Sequence, residues 1–248
     1  MKLEVKGVSK SFEDKHILKD INLTLQEGEL VCLLGASGGG KTTLFHIISG
    51  LLHPEQGSVW LDEKEITDQP GRVSYMLQKD MLLPYKTVLD NVALPLVIRG
   101  EKKKAAREEA WGYFEEFGLK GYEKKYPSQL SGGMRQRAAL LRTYLFSGEV
   151  ALLDEPFSAL DTITRGAMHQ WYLSVMEQIR LSTLFITHDV EEAIFLSKKI
   201  YIITETPMTH LEAVEVPEGY PRDRGFLRQP DVERLKAELT GKLRKQVM

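Results

Sequence analysis

The stretch "LVCLLGASGGGKTTLFHIISGLL", which begins at Leu30, constrains the fold more than any other part of the chain. A run of apolar residues enters a glycine-rich turn, and an apolar-periodic segment follows at once. A short run that is apolar on both faces is what a strand covered on both sides of a sheet requires. The periodic segment after the turn reads as a helix that stops at Gly50. Within the turn, Gly35, Gly40, Lys41 and Thr42 keep the spacing Gly-x4-Gly-Lys-Thr of a phosphate-binding loop. The residue types follow from the chemistry. From Gly35 through Ala36, Ser37, Gly38 and Gly39 to Gly40, small residues let backbone N–H groups turn toward phosphate oxygens, and the helix N-terminus adds partial positive charge. Lys41 would reach the β- and γ-phosphates, the Thr42 hydroxyl would bind Mg²⁺, and Thr43 would bond the α-phosphate.

The rest of the chain supplies the sheet such a loop needs. "VALLDE" ending at Glu155, "STLFITHD" ending at Asp189 and "KKIYIIT" ending at Thr204 read as further strands, and "RVSYMLQ" ending at Gln78 as another. Strands alternating with helices indicate a largely parallel sheet with helices on both faces. Before the loop, "KLEVKGVSKSF" and "ILKDINLTLQEGE" are alternating and turn-punctuated, as is "GSVWLDEKEI" after it, so the N-terminal part is β-rich. Residues 88–145 are helical in texture. There "KKKAAREEAWGYFEEFGL" places Ala110, Trp111, Phe114 and Phe117 on one face, with Gly118 as the stop, and the lysines at 102–104 on the solvated side. The tail begins with turn chemistry in "VPEGYPRDRG" and ends in a helix carrying Val232, Leu235, Leu239 and Leu243 on one face.

Three groups at strand ends carry candidate chemistry. Asp154 and Glu155 close a buried strand at its carboxyl end, where open α/β sheets bind ligands. Asp154 would hold Mg²⁺, and Glu155 would polarise the attacking water as general base. His188 follows another strand, either as a satisfied structural residue or as a contact to the γ-phosphate and that water; Gln78 is the remaining polar group at a strand end, where it either just leaves the sheet or serves the site. A second glycine turn, "LSGG", opens the helix "GMRQRAALLRTYLF". Ser131 is a good N-cap there, and Gly132 and Gly133 leave the first amides open. One nucleotide needs one cradle, so the economical use of this second anion site is to clamp the γ-phosphate held by another copy of the chain.

Composition narrows the classes further. A net charge of −2 with 27% charged residues gives no reason to expect nucleic acid as a partner. The N-terminal segment has no continuous apolar core of the secretory type. No apolar run approaches the ~18 residues of a spanning helix, so work at a membrane would go through a partner. The single cysteine, Cys32, reads as a small core residue.

Taken in order, these segments resemble the ATP-binding cassette (ABC) transporter ATPases over essentially the whole chain. The matching parts are an aromatic at Phe12, Walker A at 35–43, the Q-loop at Gln78, the signature at 130–137, Walker B at 150–155, the D-loop "SALD" at 158–161 and the switch histidine His188. Met134 stands where the commonest signature has glutamine, and the serine and glycines are intact. The resemblance implies a P-loop NTPase of the ABC ATPase type, with an α/β core, an N-terminal antiparallel β subdomain and an α-helical subdomain. Its boundaries would be 1–87 with 146–215 for the core, 88–145 for the helical part and 216–248 for the tail. It implies that Phe12 stacks on adenine and that Gln78 contacts Mg²⁺ and water. Ser131 and Gly133 would touch the γ-phosphate in trans, and Asp161 would couple the two sites.

The implied cofactors are ATP and Mg²⁺. The implied partners are a second copy, transmembrane permease subunits and, indirectly, a solute-binding protein, with the chain cytoplasmic and peripheral on the inner membrane face. The segment "QKDMLLPYKTVLDNVALPL" is similar to the part of bacterial importers that docks a permease loop, and "YPRDRG" to the nitrate, sulfonate, taurine and pyrimidine-precursor branch. Two rival classes remain at this point: a soluble ABC ATPase of repair or translation, and a P-loop kinase of a small metabolite.

Overall fold

The computed structural model describes residues 1–217, 222–223 and 225–247. Among the described residues ten strands form two sheets. The first is antiparallel, in the order β2 (Lys15–Leu25), β1 (Leu3–Phe12), β4 (Gln56–Leu61), β5 (Lys64–Glu65). The second runs β10 (Leu211–Glu215), β9 (Lys199–Ile203), β3 (Leu30–Leu34), β8 (Ser182–Thr187), β7 (Val150–Asp154), β6 (Ser74–Met76). All its pairs are parallel except β10–β9.

Burial explains why the central strands read as unbroken apolar runs. Successive side chains point to opposite faces, and both faces are covered. Cys32 and Leu34 of β3, Ala151 and Leu153 of β7, and Ile200 and Ile202 of β9 enter one core with α5 (Gly132–Ser147), α6 (Thr162–Ile179), α7 (Val190–Leu196) and α8 (Pro230–Val247). Their neighbours Val31, Leu33, Val150, Leu152, Tyr201 and Ile203 enter a second core with the antiparallel sheet and α1 (Lys41–Ile48). Burial pushes the Cys32 thiol well up, consistent with a structural residue.

Three short helices, α2 (Val88–Val92), α3 (Leu94–Ile98) and α4 (Lys103–Gly112), precede α5. Here the sequence reading needs correcting. The helix carrying the lysines stops at Gly112, not Gly118, and buries Ala106 and Ala110. Phe114 and Phe117 reach the core from the turns that follow, whereas Trp111 is 59% exposed. β10 is an edge strand that the sequence reading did not place. The tail helix, whose apolar face could serve the body or a neighbour, packs on the body: Val232 and Leu239 are fully buried, and Leu235 nearly so. The turn expected in "VPEGYPRDRG" falls partly on residues 218–221 and 224, which lie outside the described residues.

Candidate active site

The parallel strands deliver their carboxyl ends to one edge of the sheet, and a cleft opens there. It is lined by Phe12, Ile17, Ser37, Gly38, Gly40, Lys41, Thr42, Thr43, Asp154 and Glu155. Gly40 caps α1 at φ 86°, a conformation in which a Cβ would come within 3.0 Å of Ile17. Glycine is therefore required there for both its backbone and its size. A Cβ on Gly35 would come within 3.0 Å of Ile203, so that glycine lets the loop close on β9. Gly35, Ala36 and Gly39 do not line the cleft.

Lys41 is 6% exposed, and its Nζ donates to the carbonyls of Gly35 (2.8 Å) and Ala36 (2.7 Å). Burial holds its ammonium below the usual lysine range, opposed by the carboxylates of Glu155 and Asp154. A buried cation at a helix N-terminus is poised for polyanionic phosphate.

Asp154 accepts from Thr42 Oγ1 and from the Tyr75 hydroxyl, each at 3.3 Å. Burial raises its carboxyl above the ordinary range, against the pull of those two hydrogen bonds. Among the described residues no cluster of three or more His, Cys, Asp or Glu could hold a metal by itself. Thr42 and Asp154 are hard oxygen donors side by side, which fits Mg²⁺, an ion that takes few protein ligands and completes its shell with phosphate and water.

The sign of the Asp154 shift gives a prediction. A carboxyl raised in the folded state has a charged form that opposes folding. The cost is absent below the unfolded value near 4, grows as pH rises from there toward the raised folded value, and is complete above it. Asp154→Asn keeps both hydrogen-bond donors satisfied and removes the charge. It is expected to raise the melting temperature of the nucleotide-free chain at neutral pH. The gain should vanish at pH 3.5, and Mg·ATP should stabilise the variant less than the parent. Thermal melts at the two pH values check it.

Glu155 stands at φ 46°, a left-handed conformation that costs a non-glycine residue of order 1–3 kcal/mol. Its N–H donates to Ile186 of β8 (3.1 Å), and its carbonyl accepts from Ser158 Oγ (3.0 Å), which holds it there. The consequence is the direction of the carboxylate. Its Oε1 lies 3.1 Å from His188 Nδ1, and its Oε2 accepts from Gln78 Nε2 at 3.1 Å. The three polar groups from the ends of β6, β7 and β8 thus converge beside the phosphate loop. The sequence reading missed Tyr75 and Ile17; Ser158, which it named only as the start of the D-loop, has its Oγ 3.4 Å from Gln78 Nε2. A tyrosine inside a strand carries no sequence signal of facing the neighbouring strand's carboxylate.

The remaining expected residues lie elsewhere. Ser131 is exposed and caps α5, accepting from the Met134 amide at 3.3 Å. Gly132 and Gly133 face Leu160 and α6; a Cβ on Gly133 would come within 3.3 Å of Thr164. Asp161 is exposed and caps α6 through Ile163 and Thr164, which holds its carboxyl low. None of these four lines the cleft of its own chain. Further along α5, Arg135 pairs with Asp80 (3.2 Å), and Arg142 donates to the carbonyls of Asp80 and Met81 (2.6 and 2.8 Å). These bonds tie the helix that Ser131 opens to the loop after Gln78. Next to that loop lies an apolar groove of 360 Å³ whose lining includes Leu51, Val73, Met81, Pro95, Ile98 and Phe146.

A phosphate loop, a strained carboxylate and a capped second helix in this arrangement define a nucleoside-triphosphatase cassette. The family model described as ABC transporter matches residues 18–158, and the chain belongs to that family as an ATP-binding ATPase subunit. Its relatives include the formylaminopyrimidine import ATP-binding protein ThiZ of Halalkalibacterium halodurans, 42% identical over 93% of this chain and 85% of that protein. The aliphatic sulfonates import ATP-binding protein SsuB 1 of Rhodococcus jostii is 43% identical over 90% of this chain and 86% of its own length. Among solved structures, the dimeric structure of MJ0796, a bacterial ABC transporter cassette, superposes with a TM-score of 0.73 at 27% identity, covering 88% of this chain and 100% of that one. The expected fold class is thereby met, and the two rival classes are set aside.

Proposed function

We propose that the chain powers a solute importer by binding ATP between two copies of itself. In each copy the phosphate loop holds the triphosphate, with Phe12 against the adenine, while Ser131 and the amides of Gly132 and Gly133 from the other copy clamp the γ-phosphate. Asp161 couples the two sites across the dimer. Glu155 takes a proton from water as the water oxygen attacks the γ-phosphorus and the bond to the bridging oxygen breaks, releasing ADP and phosphate. Gln78 and His188 orient the carboxylate and the water. Thr42 and Asp154, with Gln78 on approach, would hold Mg²⁺, which supplies charge neutralisation on the phosphates.

The observation that carries this reading is the division of the parts. Glu155, His188 and Gln78 converge at the loop, whereas the capped turn at Ser131 stays outside its own chain's cleft. Closure does mechanical work because ATP gains contacts in the closed state that it lacks in the open one. The apolar groove beside Met81 is the seat for a cytoplasmic loop of a permease, which makes the chain peripheral to the membrane. No helix among the described residues is long and apolar enough to cross it. The names of the relatives point to a solute such as a formylaminopyrimidine, an aliphatic sulfonate or nitrate; in this reading a solute-binding protein delivers it.

The purified chain given Mg·ATP and no acceptor should release phosphate and ADP in equal amounts, and added DNA or RNA should leave the rate unchanged. Turnover that depends on a small-molecule acceptor, or on nucleic acid, would contradict this reading.

A further inference from the structure

One arginine of the "YPRDRG" stretch has no part in the chemistry above, yet it is built into the body. Arg222 is 5% exposed, and a guanidinium so buried requires compensation. Its Nη1 donates to the carbonyls of Ile194 (2.9 Å), Phe195 (3.1 Å) and Ser197 (2.6 Å). These are the acceptors that the C-terminus of α7 leaves open, at the negative end of its dipole. The guanidinium also lies over the ring of Phe226, 4.7 Å from its centroid.

The other end of α7 leads to the reacting groups. Its N-cap is Asp189, whose Oδ1 accepts from the amides of Glu191 and Glu192, and the residue before the cap is His188. The flank of the helix is held as well: buried Glu192 lies 2.8 Å from His169 of α6, and Glu191 pairs with Lys236 of α8. A helix of seven residues is a rod of roughly 10 Å. With its C-terminus fixed by Arg222, its N-terminus has a fixed place, and the histidine attached there meets Glu155 at 3.1 Å.

We propose that Arg222 is a positioning residue for ATP hydrolysis. By capping the C-terminus of α7 it sets the reach of His188 toward Glu155, so the tail contributes to turnover without touching nucleotide. This rests on the roles given to Glu155 and His188 above. A tail that only adds stability would lower the amount of folded chain and leave the chemical step of the remainder unchanged.

The test uses the full chain. Arg222→Met keeps the apolar stem and removes every donor; it should lower kcat about tenfold while KM for ATP stays within twofold. Arg222→Lys, which keeps the charge but has no planar fork, should be intermediate. In single-turnover hydrolysis, Arg222→Met should add no further loss in a His188→Ala background, because the group it acts through is gone. The inference is overturned if Arg222→Met matches the parent, if KM rises with kcat preserved, or if the same fold-loss recurs in the His188→Ala background. Should Arg222→Met fail to fold, Arg222→Lys is judged by the same criteria. A parent chain that hydrolyses no ATP would overturn the assignment of the site and this inference with it, whereas an active parent equalled by both variants overturns this inference alone.

Discussion

Glu155→Gln is expected to bind ATP at least as well as the parent, to hydrolyse it about 10²- to 10⁴-fold more slowly, and to accumulate as an ATP-bound dimer. The size is that of removing a general base. Glutamine has the volume of glutamate, and its carbonyl oxygen can still accept from Gln78, so the surrounding geometry persists. Its amide cannot take a proton from water. ATP affinity should not fall, because the groups that hold the triphosphate belong to the phosphate loop. The lost negative charge is one that now acts on Lys41, and it would repel the phosphates. The measurements are phosphate release and the mass and nucleotide content of the chain after gel filtration with Mg·ATP. Turnover near that of the parent would contradict the assignment of the base.

Ser131→Arg should leave ATP binding by the single chain within about threefold of the parent, while reducing turnover at least 10²-fold and abolishing the ATP-dependent dimer. Ser131 caps α5 on an exposed turn outside the cleft, so arginine neither fills the cleft of its own chain nor touches its phosphate loop. In the proposed dimer it places a long side chain where the γ-phosphate of the other copy would sit. Loss of the cap itself costs about 1 kcal/mol, and Ser131→Ala controls for it. Alanine should lower stability by the same amount and turnover far less. Equal loss of binding and of dimer in Ser131→Arg would argue against action in trans. Equilibrium nucleotide binding at a chain concentration too low for dimerisation separates the two.

The central sheet and the phosphate loop were legible because their physics is local. β3, β7 and β8 are covered on both faces and so read as apolar runs, and the loop's spacing reports the backbone turn it must make. Legibility failed where distant packing decides. The sequence places Trp111 on one helical face with Ala110, Phe114 and Phe117, but α4 ends at Gly112; Phe114 and Phe117 take buried places from the turns that follow, and Trp111 is left exposed. β10 alternates only weakly and owes its existence to pairing with β9. Tyr75 reads as a strand residue; its hydroxyl meets Asp154 because β6 and β7 are neighbours, which the sequence does not state. Arg222 was visible only as part of a turn, since its three acceptors lie 25 to 28 residues away in the chain. At the site, the residues clustered by the fold around Glu155 were all named from the sequence except those that act through a neighbour.

That Ser131 of one copy meets nucleotide on another is tested most directly by a cross-link. The only native cysteine, Cys32, is fully buried, whereas Ser37 and Ser131 are exposed. In a Glu155→Gln background, chains carrying Ser131→Cys are mixed with chains carrying Ser37→Cys under mild oxidation. A disulfide-linked heterodimer that forms with Mg·ATP and not with ADP or without nucleotide is the predicted result. No cross-link at saturating Mg·ATP, or the same yield without it, would contradict the shared site.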